Sequence, residues 1–227
     1  MKTFFRQSLA WLALGVAIAA SSVPALASEE QRLIDEARIA VEELRADPNL
    51  TAFADLLARS RGALVVPALV KAGFIIGGEG GSGVLLARAA DSGDWSYPAF
   101  YTMASGSIGL QIGVQVSKVV FLIMTEGGFK KLMSDKLTLG VDVSVAAGPV
   151  GAGLEASTTL NVEVDIYSFA HAKGLFGGIS FEGSVLVPDE EANEAYYGEA
   201  VSSRGIVIHR KTQNPGADAL RAALAAR

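Results

Sequence analysis

The chain has no cysteine among its 227 residues and only two histidines, His171 and His209, far apart in sequence. Without cysteine there is no disulfide framework, no thiol nucleophile and no lipid-acylation site, so the fold must rely on its core. A metal site without cysteine leans on histidine, and two distant histidines offer little for one. No Gly-x-Ser-x-Gly frames a serine, so a hydrolase nucleophile elbow is missing. No Gly-Lys-Ser or Gly-Lys-Thr follows the glycine-rich stretch, which excludes a P-loop. Positive charge is also scarce: 19 Lys and Arg stand against 24 Asp and Glu, a formal charge of −5. That balance disfavours nucleic acid as a partner, because phosphates require a basic face. These absences favour a binding or structural role over enzymology, and call for no cofactor.

The one long apolar run lies at the start. Lys2 and Arg6 precede an uncharged stretch, and Ala25-Leu26-Ala27 makes a small-x-small cleavage site. Residues 1–27 therefore read as an export signal, with a periplasmic or secreted product that is at most peripherally membrane-associated. Cleavage removes two bases and no acid, moving the formal charge from −5 to −7. Residues 28–227 suffice for a single domain, expected as N-terminal helices over 29–61, a β-rich core over 62–198 and a C-terminal extension over 199–227.

Arg61–Arg88 organises that domain. It sets Gly62, Gly73, Gly77, Gly78, Gly80, Gly81 and Gly83 among short Val/Ile/Leu runs. Glycine at this density marks turns, left-handed residues or close backbone contacts. The expectation is a strand, a glycine-rich hairpin over Gly77–Gly83, and a returning strand. Gly78–Gly83 formally satisfies G-x-G-x-x-G, but no crossover helix has room to follow before Asp91-Ser92-Gly93-Asp94, so a dinucleotide site is not expected.

Glu29–Arg45 has Leu33, Ala37, Val41 and Leu44 on one face of a helix, and a second short helix is expected over Thr51–Arg61. Ile108, Leu110, Ile112, Val114 and Val116 alternate with polar or glycine residues, as in a half-buried strand with those five facing inward. Val119–Met124 is apolar throughout and predicts a strand covered on both faces. Thr125–Ser134 predicts a short amphipathic helix. Alternation over Leu137–Val145, Leu160–Tyr167 and Ile179–Val187 predicts further strands, with turns at Gly148–Gly151 and Leu175–Gly178. Asp189–Tyr197 reads as a polar, acidic, solvated loop, Ser202–Gly216 as loop or edge strand, and Ala217–Arg227 as a small helix. The expected architecture is α+β: a curled, barrel-like antiparallel sheet capped by N-terminal helices and a short mid-chain helix.

Several segments together resemble the SYLF domain, a lipid-binding family that includes yeast actin-binding proteins. They are Gly73–Leu86, Trp95–Phe100, Gly109–Gly113, Lys136–Gly140, Ala146–Gly151, Lys173–Gly178 and Asn193-x-x-Tyr196-Tyr197-Gly198, in the family's order. The resemblance implies a lipid-handling scaffold without catalytic residues. Eukaryotic members work in the cytosol; with an export signal and a bacterial source, actin would not be the expected partner.

The leading expectation is thus binding to acidic phospholipid at a membrane surface. Lys71, Arg88, Lys118, Lys130, Lys131, Lys136 and Lys173 are the candidate head-group contacts. Lys130 and Lys131 stand out, because Phe129 and Leu132 beside them could add insertion to charge. The alternative is an envelope structural or assembly protein, binding another protein through glycine-rich edges or the Trp95–Tyr101 aromatic cluster.

Overall fold

The computed structural model describes residues 28–149, 164–173 and 181–226; for residues 73–76, 107–113, 172 and 173 the backbone alone is described. The signal segment and the expected turn at Leu175–Gly178 lie outside these residues, as do half of the Gly148–Gly151 turn and half of the 160–167 strand.

Two helices open the fold. In α1 (Glu29–Ala46) the Ser28 side chain accepts a bond from the Gln31 N–H and caps the helix, and Ile34, Ala37, Ala40, Val41 and Leu44 are buried. The short helix α2 (Ala52–Arg59) buries Phe53, Leu56 and Leu57, as its pattern predicts. Two long strands follow, β1 (Gly62–Ala87) and β2 (Ala99–Ile123), paired antiparallel from Gly62↔Ile123 to Leu85↔Ala99. Pro67, which has no N–H to donate, sits where the register slips between Val66 and Leu69.

The glycine stretch is therefore not a hairpin. Gly77–Gly83 pairs residue for residue with Tyr101–Ser107, and neither Gly80 nor Gly83 has a positive φ. The turn between β1 and β2 falls later, where Gly93 adopts φ +76°. The β1–β2 ribbon instead folds over on itself. A Cβ on Gly81 would stand 2.6 Å from the Ala68 carbonyl oxygen, and one on Gly83 would stand 2.7 Å from that of Val65. The Arg88 N–H donates to Arg61 O at 2.8 Å, joining the two ends of the doubled strand. These two glycines serve close backbone approach within strands.

The curled sheet has six strands among the described residues, with β2 at its hub. Along one edge of β2 runs β1; on the other, β6 (Val185–Pro188) pairs near its start and β5 (Ile166–Lys173) near its end. β3 (Leu137–Thr138) adds to β6, and β4 (Val145–Ala147) runs parallel to β5, as does the isolated bridge between Leu139 and Val143, while the other strand pairs among the described residues are antiparallel. The expected strand over Leu137–Val145 breaks after two residues because Gly140 takes φ +78°, leaving Val141 77% exposed. Alternation over Ile179–Val187 puts Val185 and Val187 on the inward face with Phe181, but in β6 the faces are exchanged: Leu186 is buried and Val187 exposed, since Gly183 at φ +83° turns the chain first.

Val119–Ile123 is covered on both faces, as predicted. Val120 and Leu122 join Leu44, Phe53, Val65, Leu86 and Phe169 under the helical layer, while Val119, Phe121 and Ile123 join Leu64, Leu85, Tyr101, Leu132 and Leu186 opposite. Helix α3 (Glu126–Leu132) follows directly, capped by Thr125.

The C-terminal region is integral to this core. Asp189–Tyr197 is not a solvated loop but contains helix α4 (Glu190–Tyr197), and Ser202–Gly216 contains helix α5 (Ser203–Val207). Asn193, fully buried, accepts the Phe100 N–H at 2.9 Å and donates to Ser203 Oγ at 3.2 Å, tying both helices to β2. Leu220 and Leu224 of α6 (Asp218–Ala225) are buried beside α1. The aromatic cluster is likewise structural: Trp95, Phe100 and Tyr101 are buried, which removes them as a contact surface.

Candidate functional site

The expected basic residues do not form one patch. Lys130 and Lys131 are exposed on α3, and Lys130 pairs with Glu126 at 2.7 Å. Their apolar neighbours turn the other way. Leu132 is 1% exposed within the core, and Phe129 packs over Gly62, whose Cβ position lies 3.2 Å from the ring. The expectation that Phe129 and Leu132 add insertion fails, because an amphipathic helix on a sheet spends its apolar face on the core. Lys136 is exposed just beyond α3. Lys118 is held by Glu43 of α1 at 2.5 Å. The Arg88 guanidinium donates to Ala58 O and to Gly93 O, and so braces the end of α2 and the β1–β2 turn.

A different grouping appears at the far end of the β1–β2 ribbon. Beyond the core, Val70 and Val116 face each other as a register pair and are 41% and 46% exposed; Val114, two pairs along on the same face, is 74% exposed. Val116 is also the partner of Lys173 in β5. One rung therefore runs Val70, Val116, Lys173 across three strands, whereas Lys71, next in β1, falls on the opposite face. The inward face expected for Val114 and Val116 is corrected: the ribbon outruns the helices that cover its lower half. Alternation revealed two faces without revealing where cover ends.

Lys71 Nζ lies 4.0 Å from Glu79 Oε2, across the doubled strand. The Glu79 side chain is only 6% exposed, and its Oε1 is buried with no hydrogen-bond partner. Desolvation pushes its carboxyl above the usual carboxylate range, and the nearby Lys71 only partly opposes this.

Two cavities flank the helical layer. One, of about 320 Å³, lies among α1, α4 and β2 and is acidic, lined by Glu29, Glu30, Glu36 and Asp189 with Arg32. Its excess of carboxylates disfavours an anionic ligand. The other, of about 310 Å³, is lined by Arg45, Arg88, Asp55 and apolar residues of α2 and α6. His171 meets one carboxylate, Asp47 at 3.4 Å, and neither lines these cavities. Among the described residues no group of three His, Cys, Asp or Glu could hold a metal ion, and no helix is long and apolar enough to cross a membrane.

Residues 104–227 match the family described as Ysc84, Las17-binding protein actin regulator. The chain belongs to that family. It is 36% identical over 169 residues to LAS seventeen-binding protein 3 of Saccharomyces cerevisiae, covering 73% of this chain and 36% of that protein. It is 36% identical over 168 residues to Protein YSC84 of the same yeast, with the same two coverages. To the SH3 domain-containing YSC84-like protein 1 of Mus musculus it is 34% identical over 165 residues, covering 72% of this chain and 48% of that protein. The chain thus spans between about a third and a half of the length of these relatives. The SYLF resemblance read from the glycine-rich and Asn-x-x-Tyr-Tyr-Gly segments is this Ysc84 family membership. The family description speaks of binding and regulation, not of a reaction.

Proposed function

We propose that this Ysc84-family chain is an exported, non-catalytic module that binds acidic phospholipid surfaces through the far end of its β1–β2 ribbon. The observation that carries this reading is the rung of exposed valines beside lysine: Val70 and Val116, with Val114 beyond them on the same face and Lys173 next on the rung. Exposed apolar groups on a soluble face mark contact sites, and adjoining cations suit them to an anionic interface. Each lysine near such a surface contributes about 1 kcal/mol, within a Debye length of roughly 8 Å at physiological salt. An exported chain with a net charge of −7 after cleavage needs a local patch of this kind rather than a global field. Lys130, Lys131 and Lys136 then act as supporting charge, without insertion.

Flotation with phosphatidylglycerol-containing vesicles, against pure phosphatidylcholine, tests the reading. The parent floats with the acidic vesicles only, and Val114→Gln with Val116→Gln lowers capture at least tenfold. Lys130→Glu with Lys131→Glu lowers it less. Equal capture of the valine variant, or no capture of the parent, overturns the proposal.

The relatives' names favour a second reading, in which the same rung meets a protein, as proteins named for binding Las17 do. On that reading the parent does not float, and the valine substitutions abolish pull-down of a partner from envelope extracts.

A further inference from the structure

The cavity at the C-terminal end of α2 offers a second kind of site, independent of the ribbon. Its lining combines two guanidinium groups, Arg45 and Arg88, with Ala54, Leu57, Ala58, Leu224 and Ala225, and carries Asp55 at its exposed side. At about 310 Å³ it matches the lower end of ligand pockets, roughly 300–1,000 Å³.

Both arginines have protein contacts, but those contacts are neutral. Arg45 Nη2 donates to Ala223 O at 3.1 Å, near the end of α6, while its Nε is buried with no acceptor. Arg88 donates to the carbonyls of Ala58 and Gly93. Neither forms an ion pair within 4.0 Å among the described residues. Burial pulls the Arg45 guanidinium below its usual range, and no carboxylate offsets that cost. Two arginines lining one largely apolar recess, neither in ion-pair contact with a carboxylate among the described residues, favour an anion.

Asp55 decides which anion. Its charge leaves the lining with a formal excess of one positive charge, which suits a monoanion better than a doubly charged phosphate monoester. The walls favour an apolar substituent on that anion. A carboxylate accepts guanidinium hydrogen bonds in a matching planar geometry.

We propose that the Arg45–Arg88 cavity binds a monoanionic amphiphile: a carboxylate carrying a short or medium aliphatic chain, its head between the guanidiniums and its chain against Leu57 and Leu224. Octanoate, octanol and inorganic phosphate are the probes, titrated into the full chain and followed by amide chemical shifts. Octanoate produces saturable shifts at Ala54, Ala58, Arg88 and Ala225 with Kd at or below about 1 mM. Octanol and inorganic phosphate each bind at least tenfold more weakly. Arg88→Gln and Arg45→Gln each weaken octanoate binding about tenfold, with vesicle flotation unchanged. If Arg45→Gln loosens α6 and does not fold, the shifts of the parent and of Arg88→Gln still decide. The proposal is overturned by absence of saturation with octanoate, by shifts confined to other regions, by phosphate binding as tightly as octanoate, or by unchanged affinity in the folded variants. Because flotation is read separately, failure here leaves the membrane proposal standing, and the reverse holds.

Discussion

Gly81 lies against Ala68 so closely that a Cβ on the glycine would stand 2.6 Å from the alanine's carbonyl oxygen. The doubled β1 strand depends on this approach and on the matching one between Gly83 and Val65. Backbone oxygen cannot swing aside as a long side chain does, so the overlap must be relieved by separating the two limbs.

Gly81→Ala and Gly83→Ala should each cost about 1–3 kcal/mol by overpacking, seen as a Tm lower by several degrees. Gly80→Ala is the contrast: its Cβ would sit 3.6 Å from Met103 O, an ordinary contact. Its melt should match the parent or rise slightly, because the unfolded chain loses freedom. Equal losses at Gly80 and Gly81 would contradict the close-approach account.

The glycine stretch shows where sequence reasoning ended. Glycine density signals either a positive φ or a close neighbour, and the two are indistinguishable when the neighbour lies 13 residues upstream, as Ala68 does from Gly81. By contrast Val119–Ile123 was legible because an apolar residue at every position has only one economical explanation, a strand covered on both sides. Helix α1 was legible through its face of Ala37, Val41 and Leu44. Val114 and Val116 were assigned to the wrong environment because alternation cannot say where the covering helices stop. Helix α4 was missed because it is short and mostly polar, anchored by the buried Asn193 and Tyr196, and α5 because its five residues, with only Ile206 and Val207 entering the core, are too few to show a helical period.

Glu79 gives a prediction with a definite sign. Its folded-state pKa is raised, chiefly by desolvation, so the folded chain holds this proton more tightly than the unfolded chain does. The ionised carboxylate therefore opposes folding once pH exceeds the ordinary carboxylate pKa, near 4.3. Glu79→Gln should raise Tm at pH 7, and the gain should shrink toward zero as pH falls below about 4. A variant that is less stable at pH 7 would mean that attraction to Lys71 outweighs the burial cost.

Export predicts a specific mass. Ser28 caps α1, and the small-x-small motif ends at Ala27. Protein recovered from the periplasm or medium of an expressing cell should have an intact mass corresponding to a start at Ser28. A recovered species that retains Lys2 and Arg6 would mean that the segment is kept as an anchor.

The central claim is that the ribbon's exposed valines, rather than the α3 lysines, enter the lipid interface. The cysteine-free sequence makes this directly measurable. Val114→Cys and Lys131→Cys are each labelled with an environment-sensitive fluorophore and mixed with phosphatidylglycerol-containing vesicles. The account predicts a blue-shifted, brighter emission at position 114 and little change at 131, with neither responding to phosphatidylcholine. A shift at 131 alone, or at neither position while the protein still binds, would contradict it.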